Sequence, residues 1–335
     1  MTINNVKNSM KKIAGTIMLP LAMYIIVMIV CYSNGKMYFG TDAMWKVLIV
    51  DIAISVTCAM GIGLQFKNGR FDFSGGAIML LSAILAGNIA KSMGNNVVVF
   101  FLLCILVSVI LSLIVGMVYV YGRLPIVIAT IGMALLYEAI TCLIYNGAGV
   151  NLVANSKLKV FSTYPMVLIP LVIAIIVYYV YSNLTVSGKQ GSLLANNQQA
   201  AVNIGINEKK NVMISYVVSG VIFGLATTIY ASSGLRTASF ASLGTVGQLF
   251  TNILPVFIGL MLGSFCNDAI GIIMGSITLS LMSFGFNSVI SAEMGTAIST
   301  IITGLFVLVI NILSAKGAIW MTVIKERLFK KVDNV

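Results

Sequence analysis

The side chains that most often carry catalysis are scarce in this sequence, and their spacing forms no catalytic or metal-binding arrangement. The 335-residue chain has no histidine, the commonest general base and metal ligand. Its nine acidic residues include no close pair beside a nucleophile. The run Gly188-Lys189-Gln190 lacks the glycine spacing and the following Ser or Thr of a phosphate-binding loop. We therefore expect no enzymatic activity and no cofactor on this chain, so that any ATP it depends on is hydrolysed elsewhere.

One short stretch places an acid at a candidate helix start. Gly69 and Gly75 release the backbone from helical constraint, and either Asp72 or Ser74 could accept free N–H groups of the next helix. Arg70 is a candidate charge partner of Asp72, although two residues of separation would not place both on one helix face. The alternative function of Asp72 is direct contact with a polar solute, since ionisable groups in membranes are costly and commonly functional.

A polar stretch, about residues 182–211, separates two long apolar runs. Small residues within it predict a short helix that a partner chain can approach closely, and Gly205 fits the end of that helix. An ordinary solvated loop is the alternative, although loops of this length in compact proteins are usually functional or disordered. The candidate contact residues are Asn197, Gln199, Ala200, Ala201 and Gly205.

Glu138 is an acid inside an otherwise apolar run, Leu-Tyr-Glu-Ala at residues 136–139. A buried carboxylate needs a partner, because an isolated charge in an apolar environment is strongly disfavoured. We expect pairing with a Tyr, Asn or Lys of a neighbouring helix, and contact with a transported solute is the alternative.

The composition identifies the elements that must position these residues. The chain is 59% hydrophobic and only 9% charged, with a mean hydropathy of +1.04, whereas soluble proteins carry about a quarter charged residues. The short alternating segments of a membrane β-barrel, roughly 10 residues each, are absent. The sequence therefore predicts an all-α polytopic membrane protein.

Ten apolar runs are predicted as membrane helices, and a full crossing of the bilayer core takes roughly 20 residues. Two of them, 75–90 and 250–264, are short and flanked by glycine or polar residues, so we expect broken or re-entrant helices there. The predicted spans are 13–32, 47–66, 75–90, 97–120, 124–145, 164–181, 212–232, 250–264, 269–290 and 295–313.

The distribution of basic residues predicts the orientation. With both termini and residues 182–211 in the cytoplasm, 14 of the 20 Lys and Arg residues lie inside and six outside, as the positive-inside rule requires. The net charge of +11 then reflects topology and anionic lipid and predicts no nucleic-acid partner. The five cysteines show no paired spacing and read as buried apolar side chains.

Three stretches resemble the ribose-type and branched-chain-amino-acid-type permeases of ATP-binding-cassette importers. Residues 68–76, Asn-Gly-Arg-Phe-Asp-Phe-Ser-Gly-Gly, resemble their Gly-Gly-Ile-Asp-Leu-Ser-x-Gly signature. Residues 197–207 are similar to their cytoplasmic Asn-x-x-Ala-Ala-x-x-x-Gly-Ile segment, and residues 124–130 to the Pro-Phe-Ile-Ala-Thr opening of their fifth helix. Order and spacing agree over nearly the whole chain.

The resemblance implies a single permease domain over residues 1–335 in the cytoplasmic membrane of a prokaryote. It implies three kinds of protein partner: a cytoplasmic ATPase subunit that uses the ATP, an external solute-binding protein, and a second permease subunit. In that family the segment corresponding to 197–205 is a helix that sits in a cleft of the ATPase. The second permease subunit would make a homodimer or a heterodimer with a paralogue.

The cargo is less sharply defined by the sequence. A mildly polar path would suit a sugar or nucleoside and would be lined by Asn88, Thr130, Asn252 and Asn287. The resembled permeases often have arginine at the position of Glu138, which weakens any transfer of cargo from the sugar members. Residues 260–268 keep only one glycine of the family's glycine-rich basic turn, which favours a heterodimer. A branched-chain amino acid permease and a secondary transporter working alone are the alternatives.

Overall fold

The computed structural model describes residues 3–37, 41–264 and 266–289, with isolated positions at 294, 301, 304 and 305. The tenth predicted span, 295–313, lies outside the continuous ranges. Within them the chain is built almost entirely from helices, which confirms the all-α polytopic fold. The helices are α1 Ile3–Ser33, α2 Asp42–Lys67, α3 Gly75–Ser92, α4 Val97–Gly122, α5 Ile126–Leu143, α6 Leu168–Tyr179, α7 Val186–Asn196, α8 Gln198–Asn203, α9 Glu208–Ser233, α10 Gly244–Met261 and α11 Asp268–Val289.

Short elements connect these helices. Three 3-10 turns cover Ile144–Gly147, Leu158–Ser162 and Leu262–Ser264, and a π turn covers Val180–Leu184. The strands β1 (Val150–Asn151) and β2 (Leu235–Arg236) pair antiparallel, with Val150 opposite Arg236. This small ribbon joins the segment after α5 to the segment between α9 and α10.

Each of the first nine predicted spans coincides with one of these helices. Seven helices among the described residues are long and apolar enough to cross a membrane, and an eighth span arises if the α6–α7 pair is counted as one bent span. The number of crossings and the positions of the termini remain predictions. Helix α10 begins at Gly244, six residues earlier than expected, because polar residues of its first turn hide the start of the helix in the sequence.

Neither of the two helices expected to be broken or re-entrant is interrupted, and their re-entrant course stays a prediction. Helix α3 runs continuously for 18 residues and α10 is an 18-residue helix with Pro255 inside. The one strongly bent pair in the described chain is instead α6 with its π turn and α7, at an angle of 67°. Thr185 is extended at the bend, and its side chain accepts the N–H of Gly188, so the same residue ends one helix and caps the next.

Helix α9 lies at the centre of the molecule and packs against α2, α3, α4 and α6. Its glycines allow the closest approach: a Cβ on Gly224 would lie 2.5 Å from Cα of Ile105, and one on Gly220 would lie 2.8 Å from Cα of Val109. Small residues at such contacts are typical of helix packing in membranes. The outward faces of α1 and α4 are apolar and exposed, as expected for surfaces that contact lipid.

Candidate functional site

The loop between α2 and α3 holds its acid by local hydrogen bonds. Oδ1 of Asp72 accepts the backbone N–H of Ser74 at 2.8 Å and its hydroxyl at 2.6 Å. Ser74 is the N-cap residue of α3, but its own side chain accepts no N–H group of the helix. Neither predicted cap therefore accepts an N–H group of α3 itself: Asp72 instead holds Ser74, the residue directly before the helix. Gly69, with a φ of +74°, makes the turn that glycine adopts most readily.

Arg70 is not the charge partner of Asp72, which corrects the prediction. Its guanidinium is buried and donates to Oγ of Ser215 at 2.8 Å and to Oδ1 of Asn211 at 3.3 Å. Both acceptors belong to α9, so Arg70 fastens the α2–α3 loop to the central helix. Arg70 is thus paired with neutral oxygens of α9 instead of the Asp72 carboxylate, which bonds Ser74 within the loop.

Residues 186–206, here called the α7–α8 element, contain the predicted coupling helix. Oδ1 of Asn197 accepts the N–H of Ala200 and so caps α8. At the other end Gly205 has a φ of +94°, and Ile206 donates its N–H to the carbonyl of Ala201 at 3.1 Å. The N–H of Gly205 bonds the carbonyl of Val202, which completes the Schellman arrangement that ends a helix.

The two alanines of this helix face opposite directions. Ala201 is only 3% exposed and packs on Leu194 and Ile206, so its side chain faces the inside of the α7–α8 element. The prediction that both alanines meet a partner is wrong for Ala201 in the isolated chain. The exposed residues of α8 and its C-cap include three apolar ones, Ala200, Val202 and Ile204, beside Gln199. Sequence reasoning missed Val202 and Ile204, and the signal that could have found them is the presence of apolar residues inside a polar segment.

The two sequence motifs contact each other through α7. Nδ2 of Asn211, whose oxygen accepts from Arg70, donates to the carbonyl of Ser187 at 2.7 Å. A Cβ on Gly69 would lie 3.0 Å from Cα of Ala195. The α7–α8 element therefore rests directly on the loop that starts α3. Spacing along the chain gave no sign of this contact.

Glu138 is a cap for another helix. Its carboxylate accepts the N–H of Leu243 and the N–H of Thr245, both at 2.7 Å, and the Thr245 hydroxyl at 2.6 Å. The side chain is buried at 3% exposure. The expected structural pairing with Tyr, Asn or Lys is therefore wrong in its partner, because backbone donors at the start of α10 satisfy the charge.

A cavity of about 160 Å³ lies between α2, α3, α9 and α10. The polar side chains on its wall include Thr251 and Asn252 of α10, and Gly75 and Gly76 expose the backbone of α3 to it. Among the described residues, no acid or base lines it. Its chemistry suits an uncharged molecule.

Three of the four expected path residues lie elsewhere. Nδ2 of Asn88 donates to the carbonyls of Ile84 and Gly149, and the hydroxyl of Thr130 donates to the carbonyl of Ile126. Asn287 is exposed on α11, so only Asn252 lines the cavity. A polar residue type does not distinguish a path residue from one that bonds its own helix.

The described residues contain no group of three or more His, Cys, Asp or Glu that could hold a metal ion. All five cysteines are free. A multi-pass helical protein with an uncharged central cavity, and a polar helical element resting on its helix junctions, belongs to the class of membrane transport proteins.

Residues 45–324 match the family described as branched-chain amino acid transport system / permease component, and the chain belongs to this family. It is 23% identical over 262 residues to the galactose/methyl galactoside import permease protein MglC of Escherichia coli, covering 71% of this chain and 77% of that protein. It is 21% identical over 315 residues to the fructose import permease protein FruG of Bifidobacterium longum, covering 88% and 90%.

A third relative is the autoinducer 2 import system permease protein LsrC of Yersinia pseudotuberculosis, 23% identical over 243 residues and 68% of each chain. No solved structure matches the chain. The chain is thus a multi-pass permease of the prokaryotic cytoplasmic membrane, and the family resemblance predicted from the sequence is confirmed.

Proposed function

We propose that this chain is the membrane-spanning subunit of an ATP-driven importer for an uncharged, sugar-type solute. The observation that carries the proposal is the family match over residues 45–324. The printed names of its relatives, which concern galactosides, fructose and autoinducer 2, support the solute class. An external binding protein delivers the solute, and a second permease subunit completes the pathway.

The chain uses ATP only through contact with an ATPase subunit, since its sequence has no phosphate-binding loop. The α7–α8 element is the contact, and Val202 and Ile204 provide its apolar surface. Because α7 rests on the α2–α3 loop, a displacement of α8 moves the start of α3, which forms part of the cavity wall. This chain binds no cofactor in the cycle.

The cavity favours a sugar over a branched-chain amino acid. A free amino acid carries both an ammonium and a carboxylate, and each would need a compensating partner when removed from water. The described cavity wall is mostly apolar, with the amide of Asn252 and the hydroxyl of Thr251 among its few polar groups, and it has no charged side chain. An uncharged solute passes such a wall without a desolvated ion.

The test is isolation of the chain from its native membrane with the proteins bound to it. We expect an ATPase subunit, and we expect proteoliposomes containing the complex and its binding protein to accumulate a labelled sugar only with ATP. Uptake by the chain without an ATPase would support a secondary transporter instead. ATP-dependent uptake of leucine but no sugar would support the amino acid alternative.

A further inference from the structure

We propose that Glu138 is a positioning residue for the transport pathway: its carboxylate sets the rotation of α10 and so determines which side chains face the central cavity. The proposal rests on the proposed function in one respect, namely that this cavity is the pathway. No step of it requires Glu138 to touch the solute.

The position of Glu138 is the first argument. Glu138 lies inside α5, 12 residues after its start at Ile126 and five residues before its end at Leu143. A carboxyl group buried inside an apolar helix is tolerated only with strong partners. The carboxylate accepts three hydrogen bonds of 2.6 to 2.7 Å, all from Leu243 and Thr245.

The start of α10 has no cap of its own. Its N-cap residue is Leu243, which has a left-handed backbone (φ of 59°) and whose side chain accepts no hydrogen bond. The first N–H groups of a helix have no partner within the helix and form its positive end. A carboxylate supplied by α5 satisfies two backbone N–H groups here, and its negative charge is opposite to the partial positive charge of the helix end.

A second attachment holds the same segment. The hydroxyl of Thr141, three residues after Glu138 on α5, accepts the N–H of Ser239 at 3.0 Å. Residues 239 and 245 are thus both tied to α5, one on each side of Leu243. The strained turn is fixed from both ends, which sets the point at which α10 begins.

The connection to the cavity follows from helix geometry. Thr245, Leu249 and Asn252 are spaced i, i+4 and i+7, so they lie along one face of α10. Leu249 and Asn252 line the cavity, and a Cβ on Gly76 of α3 would lie 2.5 Å from the carbonyl oxygen of Thr245. Thr245 is therefore held between Glu138 and α3, and this fixes the orientation of the α10 face that lines the cavity.

The contacts of Glu138 fit direct binding of the solute less well than they fit positioning of α10. Both of its oxygens accept hydrogen bonds from the chain, and it does not line the central cavity. It borders a separate depression of about 380 Å³ beside Ser239 and Phe240. The test below includes solute contact as an opposing outcome.

The experiment uses a cysteine-free full-length chain with Asn252→Cys as reporter, reconstituted in proteoliposomes. The rate of labelling by a small methanethiosulfonate reagent measures how far position 252 faces the cavity. Glu138→Gln replaces an acceptor oxygen with an NH₂ group that faces N–H donors, so we expect an increase or decrease of about tenfold. Thr245→Val, which removes only the hydroxyl bond, should change the rate in the same direction by less.

Glu208→Gln is the matched control, because this acid lies outside the described contacts of α10 and should leave labelling unchanged. Glu138→Asp retains the charge on a shorter side chain and should restore most of the original rate. An unchanged rate in folded Glu138→Gln and Thr245→Val proteins would overturn the proposal. So would a raised KM for the solute with unchanged labelling, which indicates solute contact. The labelling requires no transport, so a failure to import sugar would count against the proposed function alone.

Discussion

The backbone of Gly191 in α7 lies so close to the side-chain amide of Asn68 that a Cβ at position 191 would overlap Oδ1 of Asn68. Asn68 is buried and follows the last residue of α2. The α7–α8 element and the loop before α3 are therefore packed without space for a methyl group. This close contact is the most direct physical link between the proposed ATPase contact and the cavity wall.

Replacing Gly191 with alanine should loosen that contact. In an ordinary helix the change Gly→Ala stabilises by about 1 kcal/mol. Here the overlap with Asn68 reverses the sign, and we expect a loss of roughly 1–3 kcal/mol, the usual range for overpacking. Thermal unfolding in detergent measures the loss, and ATP-dependent uptake should fall with it.

Gly132→Ala in α5 is the control for this variant. A Cβ at Gly132 has nothing of the described chain within 4 Å, so here the same chemical change should stabilise the chain by up to about 1 kcal/mol and leave uptake near the original value. Equal behaviour of the two variants would show that α7 does not rest on the loop as described.

Charges on the two faces of α8 should have different effects. Ile204 is 74% exposed, so Ile204→Asp should leave the chain folded but reduce recovery of the ATPase subunit. Ala201 is 3% exposed, and Ala201→Glu would bury a charge against Leu194 and Ile206, so we expect loss of the folded element itself. Limited proteolysis at residues 186–206 distinguishes the outcomes. Normal ATPase recovery with Ile204→Asp would make the element a passive linker.

Asp72 should tolerate the loss of its charge better than the loss of its oxygen. Asp72→Asn keeps Oδ1, which accepts both bonds from Ser74, and should retain most uptake. Asp72→Leu removes that acceptor from a buried helix start, which costs about 1 kcal/mol or more, and should lower the amount of folded protein in the membrane. Normal amounts of an inactive Asn variant would favour a charge-dependent contact with the solute.

The ion pair between Lys67 and Asp268, at 2.7 Å, should contribute modestly to the free energy of unfolding. The contribution should depend on which of the two positions carries the positive charge. The two side chains are 23% and 32% exposed, so solvent screening limits the coupling to roughly 0.2–1 kcal/mol. Lys67 ends α2 and Asp268 starts α11, so each charge also suits its helix end. A double-mutant cycle with Lys67→Met and Asp268→Asn should give this coupling energy.

Exchanging the two charges tests the polarity. The variant with both Lys67→Asp and Asp268→Lys restores an ion pair but places each charge at the unfavourable helix end, so it should remain less stable than the original chain. Full recovery of the unfolding temperature would show that the helix ends contribute nothing here.

Hydrophobic runs were sufficient to predict the helices, because membrane insertion depends on local composition over one span. Asn197 and Gly205 were identified for the same reason, since both ends of α8 are formed by bonds between near neighbours in the sequence. Such local interactions can be predicted from the spacing of residue types, because no distant part of the chain takes part in them.

The contacts of Glu138 and Arg70 could not be predicted because their partners are distant. Glu138 bonds residues more than 100 positions away, and Arg70 bonds Ser215. In both, the decisive partners are backbone or neutral side chains, which have no distinctive sequence signal. The bend between α6 and α7 was missed because Thr185 is an ordinary residue whose capping bond only the folded backbone shows.

The predicted orientation can be tested by labelling two positions on opposite sides of the membrane. The basis is the distribution of 14 basic residues on the predicted inner side and six on the outer side. Asn196 and Ser156 are both exposed, so a cysteine at either is open to reagent. The native cysteines are first replaced, because Cys142 and Cys266 are only partly buried.

In whole cells a membrane-impermeant maleimide should label Ser156→Cys, whereas Asn196→Cys should react only after the membrane is permeabilised. Asn196 belongs to the α7–α8 element, which the coupling proposal places on the side of the ATP. Labelling of Asn196→Cys in intact cells would place this element outside, where it could not contact an ATPase, and the coupling proposal would fail with the orientation.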